Sequence, residues 1–233
     1  MATPSYNLNT NRVSNPNVKE VLRQSLYDFQ IYPTAGVTAL NFFTLPKGQG
    51  QTSQPGGVAG QTKAIGDTNM DQGSQLPAGK QFRIESIEVP FFPGSISTAN
   101  LWLPALNHVF AAAAATAAFK ALDDVTAFYT SGELQLFILS KSYLDEAPLC
   151  RFPPKTGVDY RVALASNSAT VGEVAAGAAF ATGRPYQLKP EITITSVQNF
   201  SVNLNWLAAV ATPSGFNARV GVILDGVLER SSQ

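Results

Sequence analysis

Residues 200–206 read Phe-Ser-Val-Asn-Leu-Asn-Trp. Strict alternation of apolar and polar side chains is the period of a strand with one covered face, so Phe200, Val202, Leu204 and Trp206 point into a core and Ser201, Asn203 and Asn205 away from it. A helix would scatter the same residues around its circumference. None of the seven carries a charge, and this neutrality runs through the chain. Of 233 residues only 14% are charged, 16 Lys or Arg against 16 Asp or Glu, where an average soluble domain has roughly 25%. A hydrophobic share of 45% supports a sizeable core. Asn, Gln, Ser, Thr, Gly and Ala therefore supply much of the surface.

Moving toward the C-terminus, Arg219–Arg230 sets Val220, Val222, Leu224 and Leu228 on one face, and Asp225-Gly226 is a turn or bulge signal within it. Moving back, Tyr186–Leu188, Glu191–Ser196 and the shorter Tyr160–Ala165 read as strands. Glu133–Ser142 alternates Leu134, Leu136 and Ile138, with Phe137 and Leu139 making the other face apolar, as in a strand covered on both sides. In Gln81–Phe92 the apolar parity changes: Phe82 and Ile84 share one face, Ile87, Val89 and Phe91 the other. A bulge near Glu85-Ser86 reconciles the two, and Pro90 marks an edge or bend. Val37–Leu45 is a further strand, ended by Pro46-Lys47-Gly48. The tally is about eight strands, in runs that do not alternate with helices, which points to an antiparallel two-sheet sandwich of the all-β class. A single jelly roll is the eight-stranded version that best protects its edges. The spacing does not contain the Greek-key connectivity, and other sandwiches or an open barrel satisfy the same pattern.

Two helices interrupt this plan. Asn15 as N-cap and Pro16 at the first helical position introduce Val18, Val21, Leu22, Leu26 and Phe29 at helical spacing, with Lys19, Glu20, Arg23 and Gln24 opposite. Residues 1–36 are thus expected to form an arm with a short amphipathic helix, packed on the chain's own core, on a neighbouring subunit or on a membrane face, and residues 37–233 the jelly-roll domain. Leu106–Leu122 is Ala-rich and the best helix candidate, inserted between early strands, with Asp123 and Asp124 at its C-terminal end. Two polar excursions remain. Gly48–Gly79 is expected at the surface with one short strand near Thr62–Ile65; its glycines are followed by neither Gly-Lys-Ser/Thr nor a helix, so it cradles no phosphate. Residues 166–184 are small, neutral and flexible.

Chemistry-bearing residues are sparse. The single histidine, His108, lies at the start of the Ala-rich helix and reads as packing or capping. A triad would have to take that one histidine as its base, and a zinc site needs three or four convergent ligands, for which one His and one Cys fall short. Cys150 excludes an internal disulfide framework, fits a reducing compartment and reads as a buried, inert thiol. Asp123-Asp124 and Asp145-Glu146 are adjacent pairs, which on a strand point to opposite faces. Asp67, Asn69 and Asp71 space oxygen ligands at alternate positions and make a weak Ca²⁺ candidate, but the glycine and glutamate of an EF-hand loop are missing. Neither a catalytic residue nor a cofactor is expected. Residues 1–36 carry Arg12, Lys19 and Arg23 against Glu20 and Asp28, too little positive charge for a genome-binding arm or a basic nucleic-acid face. The start, MATPSYNLNTNRVSNPN, lacks the apolar region of a signal peptide, and no apolar run is long enough for a membrane span. Subunit-interface candidates are Val18, Val21, Leu22, Leu26 and Phe29, together with Trp102 in a loop; Trp206 belongs to the core.

The arm with its helix, the segment DTNMDQGSQLPAGKQFRIESIEV and the C-terminal run FSVNLNWLAAVATPSGFNARVGVILDGVLERSSQ give the chain a further character. It resembles the jelly-roll major capsid proteins of icosahedral viruses, particularly small bacteriophages. The resemblance implies a non-enzymatic structural subunit that self-assembles into a virion shell in the host cytoplasm, with copies of itself as partners. It departs from single-stranded RNA coat proteins in lacking a basic arm, so another capsid protein or an internal membrane is the layer expected beneath. A receptor- or glycan-binding sandwich, such as a spike or fibre head, is the alternative.

Overall fold

In the structure, a computed structural model describing residues 19–54, 57–93, 123–165 and 173–231, the stretch Phe200–Asn205 is β10, with its apolar residues buried and its polar ones half-exposed. β2 (Ala39–Phe42) lies on one side of it and β5 (Glu133–Ile138) on the other, with β6 (Lys141–Glu146) beyond, in the order β2-β10-β5-β6. A second sheet runs β1 (Lys19–Tyr32), β11 (Ala218–Ser231), β3 (Lys80–Glu88), β9 (Tyr186–Ile194), and the short β4 (Phe91–Phe92) pairs with β11 beyond the break at Pro90. Every pairing among the described residues is antiparallel. The two sheets pack as a sandwich. Phe82, Ile84, Ile87, Val220, Val222 and Leu224 from one, and Phe42, Leu134, Leu136, Val202 and Leu204 from the other, are buried completely, each contributing about 1.5–3 kcal/mol of burial.

The wiring is regular. Among the described residues β7 (Thr156–Ala165) and β8 (Glu173–Thr182) pair only with each other, and β4 continues the path of β3. Of the eight described sandwich strands that remain, the first pairs with the last (β1 with β11), the second with the seventh (β2 with β10), the third with the sixth (β3 with β9) and the fourth with the fifth (β5 with β6). Two further pairings, β11 with β3 and β10 with β5, complete the sheets. The path is one long antiparallel ribbon folded across itself.

The expected arm helix over Val18–Phe29 is corrected: from Lys19 onward this segment is β1, in continuous register with β11 from Lys19↔Ser231 to Tyr32↔Ala218. The apolar residues satisfy both periods in part. Leu22 and Leu26 share parity with Tyr32 and face Leu228, Leu224 and Ala218 across the ladder, whereas Val21 and Phe29 fall on the outer face. A lone helix of this length is marginal in water; the strand gains a complete ladder and the cross-strand pairs Lys19–Glu229 at 3.2 Å and Glu20–Arg230 at 2.6 Å. Phe29 lies directly opposite Gly221, and a Cβ there would stand 2.3 Å from its ring. The glycine makes room for the aromatic side chain.

The expected bulge is present. β3 passes from Ser86↔Asp225 to Ile84↔Gly226, which leaves Glu85 unpaired and restores Phe82, Ile84, Ile87 and Val89 to one buried face. Glu85 then meets Arg23 at 3.0 Å. Asp225-Gly226 is the other half of this irregularity and not a turn, and a Cβ on Gly226 would lie 1.9 Å from the Arg83 carbonyl oxygen.

The Ala-rich segment 106–122 and His108 lie outside the described residues. Residues 123–130 are helical (α1), so Asp123 and Asp124 do not terminate a helix. Glu133–Ser142 is not one strand: the chain turns at Leu139-Ser140 to form the β5–β6 hairpin, and Leu139 is 61% exposed. Thr62–Ile65 forms no strand, being used in a loop network around two buried carboxylates. The excursion at 166–184 contains β8, for which β7 supplies the partner. Cys150 is exposed, because the 3₁₀ turn Leu149–Arg151 points Leu149 inward instead.

Candidate interaction surface

The polar chain between β2 and β3 folds around two carboxylates. Asp67, completely buried, accepts hydrogen bonds from Thr52 Oγ1 (2.8 Å), Ser53 N (2.8 Å), Ser53 Oγ (2.7 Å), Gln54 Nε2 (3.0 Å) and Ala64 N (3.1 Å). Burial disfavours its charge, but these donors outweigh burial and lower the carboxyl to about 2. Asp28 on β1, also buried, meets Lys63 Nζ at 2.6 Å and accepts the Phe43 N–H at 2.8 Å. Its carboxyl is pushed up by burial, against the pull of Lys63. Arg219 donates to Ser53 Oγ and the Gly66 carbonyl and stacks 4.1 Å over the Phe29 ring.

The loop thereby covers part of the outer edge of β1, where unpaired backbone groups would otherwise invite strand addition. Phe29 N donates to Asp67 O at 2.8 Å, and the Asn69 side chain accepts from Tyr27 N and donates to Ser25 O. Asp67, Asn69 and Asp71 consequently face different partners, Asp71 pairing with Lys47 at 2.7 Å, and their oxygens do not converge on one point. Among the described residues no three His, Cys, Asp or Glu side chains are grouped for a metal ion.

This loop leads to an end of the sandwich where backbone strain is concentrated. Four non-glycine residues with positive φ occur among the described residues: Phe43 (68°), Ser74 (60°), Leu139 (57°) and Val197 (63°). The strand register gathers them, since Phe42 lies beside Val202 and Ile138 beside Phe200. Hydrogen bonds tie the first three to this end: Ser74 N to Phe43 O (2.7 Å), Phe200 N to Ser74 O (2.8 Å) and Leu139 N to Asn199 O (2.7 Å), with Gln75 Nε2 bonded to Asn199 Oδ1; Val197 lies two residues before Asn199. An L-residue in the left-handed region costs about 1–2 kcal/mol, and a β-branched one is a genuine outlier there. For Phe43 the cost is offset by a buried ring packed on Phe200 at 5.4 Å. Leu139 and Val197 have no such return, being 61% and 71% exposed. The segments that surround them, residues 72–76, 139–140 and 195–199, contain no charged side chain. The result is a strained frame carrying two solvent-facing aliphatic groups, with the exposed Lys141 directly after the Leu139-Ser140 turn.

The residues singled out in the sequence are dispersed. Val18 and Trp102 lie outside the described residues, Val21 is 61% exposed, Leu22 is half-buried, and Leu26 belongs to the core. Phe29 is engaged by Gly221, Arg219 and Phe92. Asp124 accepts the Ser214 N–H, Asp145 accepts from Ser142 Oγ, and Glu146 accepts from the Tyr186 hydroxyl and Arg151. Trp206 is core, between Tyr32 and Phe128. Periodicity gives no hint of the strained tip. Its one signal in the sequence is Val197, an aliphatic residue set inside the turn-forming run Thr195–Asn199.

A groove of about 460 Å³ runs between the outermost strands β6 and β9 and is lined by Tyr143, Leu144 and residues 186–193. Tyr143 is half-exposed there, with Lys141 Nζ 5.5 Å from its ring centre. No protein-family model, curated protein or solved structure matches this chain.

Proposed function

We propose that the chain is a shell-building subunit, a major capsid protein of jelly-roll type whose copies assemble into an icosahedral virion in the host cytoplasm. The observation that carries this reading is the wiring, in which the first strand pairs with the last and each inner pair nests within it. Such nesting is what a jelly-roll path produces, and viral capsid and lectin domains use that architecture. Charge supports the reading as well. With 16 cations, 16 anions and 14% charged residues, copies repel one another weakly, and little charge has to be desolvated when they meet. The subunit needs no cofactor and performs no reaction; its partners are its own copies, with a further capsid protein or an internal membrane beneath. Negative-stain microscopy and light scattering of purified protein across salt and pH test the reading. Closed particles of uniform size are expected, and a monomer under every condition contradicts it.

The groove between β6 and β9 favours a second reading, a glycan-binding sandwich. The Tyr143 ring offers a stacking surface, beside Gln187, Lys189 and Glu191 as hydrogen-bonding groups. In that case a sugar array shows binding that Tyr143→Ala abolishes, and the protein forms a closed trimer but no particle.

A further inference from the structure

We infer that the open half of the β1 edge, Lys19–Gln24, is a pairing surface for the same segment of a second copy of this chain, antiparallel about a two-fold axis at Leu22. The loop at residues 48–79 covers this edge only from Ser25 onward, where Ser25 O, Tyr27 N and Phe29 N bond to it. Odd-numbered residues thus turn their backbone groups outward, and the ladder with β11 runs without a register shift from Lys19 to Tyr32. The N–H and C=O groups of Val21 and Arg23 therefore lie on the same edge, and among the described residues no backbone group beyond the β11 ladder bonds to them. A row of unpaired backbone donors and acceptors takes an extended strand. The other edges are guarded: β2 is short, a bulge at Tyr143 breaks β6, and Pro190 in β9 has no N–H to give.

Charge selects the strand. Charged side chains on an edge ordinarily keep other chains away, but here each is committed within its own sheet, Lys19 to Glu229, Glu20 to Arg230 and Arg23 to Glu85. Two sheets related by an axis normal to them keep matching faces only when the axis passes through a residue. Centred on residue 20, 21 or 23, it sets Glu20 against Glu20, Lys19 against Arg23, or Arg23 against Arg23 of the other copy, and like charges directly opposite are destabilising. Centred on residue 24, it runs the pairing into the loop. The Leu22 register has neither fault. Val21 and Arg23 of the two copies then exchange both N–H···O bonds, Glu20 stands opposite Gln24, and the half-buried Leu22 is covered by its own counterpart. This pairing goes beyond the shell proposal and holds for any assembly of the chain.

The test uses the full chain with Cys150→Ser as background, which removes the one native thiol. Leu22→Cys sets two thiols across the axis at the short separation of a non-hydrogen-bonded pair, whereas Gln24→Cys, on the same face, sets them about 14 Å apart along the strand. Under mild oxidation Leu22→Cys should form disulfide-linked dimers at least about tenfold faster; equal rates overturn the register. Val21→Pro removes an outward N–H without touching the β11 ladder and should weaken association about tenfold or more in sedimentation equilibrium. Unchanged association overturns the pairing. Should that variant fail to fold, hydrogen exchange of the wild type gives the same answer: the Val21 and Arg23 N–H groups should be protected only at concentrations where copies associate, and equal exchange in both regimes overturns the pairing. Particles that form without these signatures overturn the edge contact and leave the shell proposal standing. Linked dimers that never build particles do the reverse, and a chain that stays a monomer overturns both.

Discussion

Lys63 and Asp28 form an ion pair that is almost wholly withdrawn from water, and its value lies in what happens when half of it is removed. Lys63→Met leaves the Asp28 carboxylate buried with hydrogen bonds from the Phe43 N–H and the Gln30 side chain but no cation, which should cost about 3–5 kcal/mol in a urea unfolding experiment. Combining it with Asp28→Asn, which keeps an acceptor for that N–H, should recover a substantial part. Asp67 makes a prediction about acid. Its carboxyl sits at about 2 in the folded chain against roughly 3.9 in the unfolded one. The stabilisation, about 2.5 kcal/mol, is fully present above pH 4 and is lost as the pH falls from 4 toward 2. Asp28, pushed the other way, works against that loss. Urea midpoints measured between pH 5 and 2 should fall less steeply for Asp67→Asn than for the wild type; equal slopes would refute the assignment. Neither pairing is visible in the sequence, where Asp67 suggests a cation ligand. Spacing records which residues are near along the chain, but the donors that occupy Asp67 come from residues 52–54 and 64.

Among the elements, β10 and β11 are legible because each has one buried face and a clean period of two. The bulge at Glu85 is legible because a strand can change the parity of its buried face only by taking in an extra residue. β1 is not. Its apolar residues fit a helical stripe and a strand face about equally well, and the choice is made by β11, more than 180 residues away, which offers it a partner along its whole length. Local propensity contains no term for such a partner. The same holds for β8, whose small residues become a strand only beside β7. Glycine placement at the bulge gives a sharp test. Gly226→Ala would set a Cβ against the Arg83 backbone, which cannot swing aside as a side chain can, and should cost at least about 3 kcal/mol. Gly221→Ala meets the Phe29 ring instead. Its penalty should shrink in a Phe29→Leu background, a coupling that a double-mutant cycle reads directly. Additive penalties would show that the ring does not depend on the glycine.

At the level of the molecule, the pairing of first strand with last means that the sandwich closes only when its two ends meet. Removing residues 1–36 takes away β1 with Leu26 and Tyr32 from the core, so that truncation should abolish cooperative thermal unfolding. Removing residues 1–18 leaves every described strand in place and should preserve it. A cooperative transition in the longer truncation would mean that β1 is dispensable. The neutral composition is plain from the sequence, and it gains its meaning from the nested wiring of the strands. Together they make association of copies the expected behaviour of the chain. Sedimentation velocity of the wild-type protein over a hundredfold concentration range addresses that expectation without any variant. A sharp, fast boundary of large closed particles should appear above a threshold concentration, in equilibrium with the 24.8 kDa subunit. A single slow boundary at the subunit mass at every concentration and salt would contradict it.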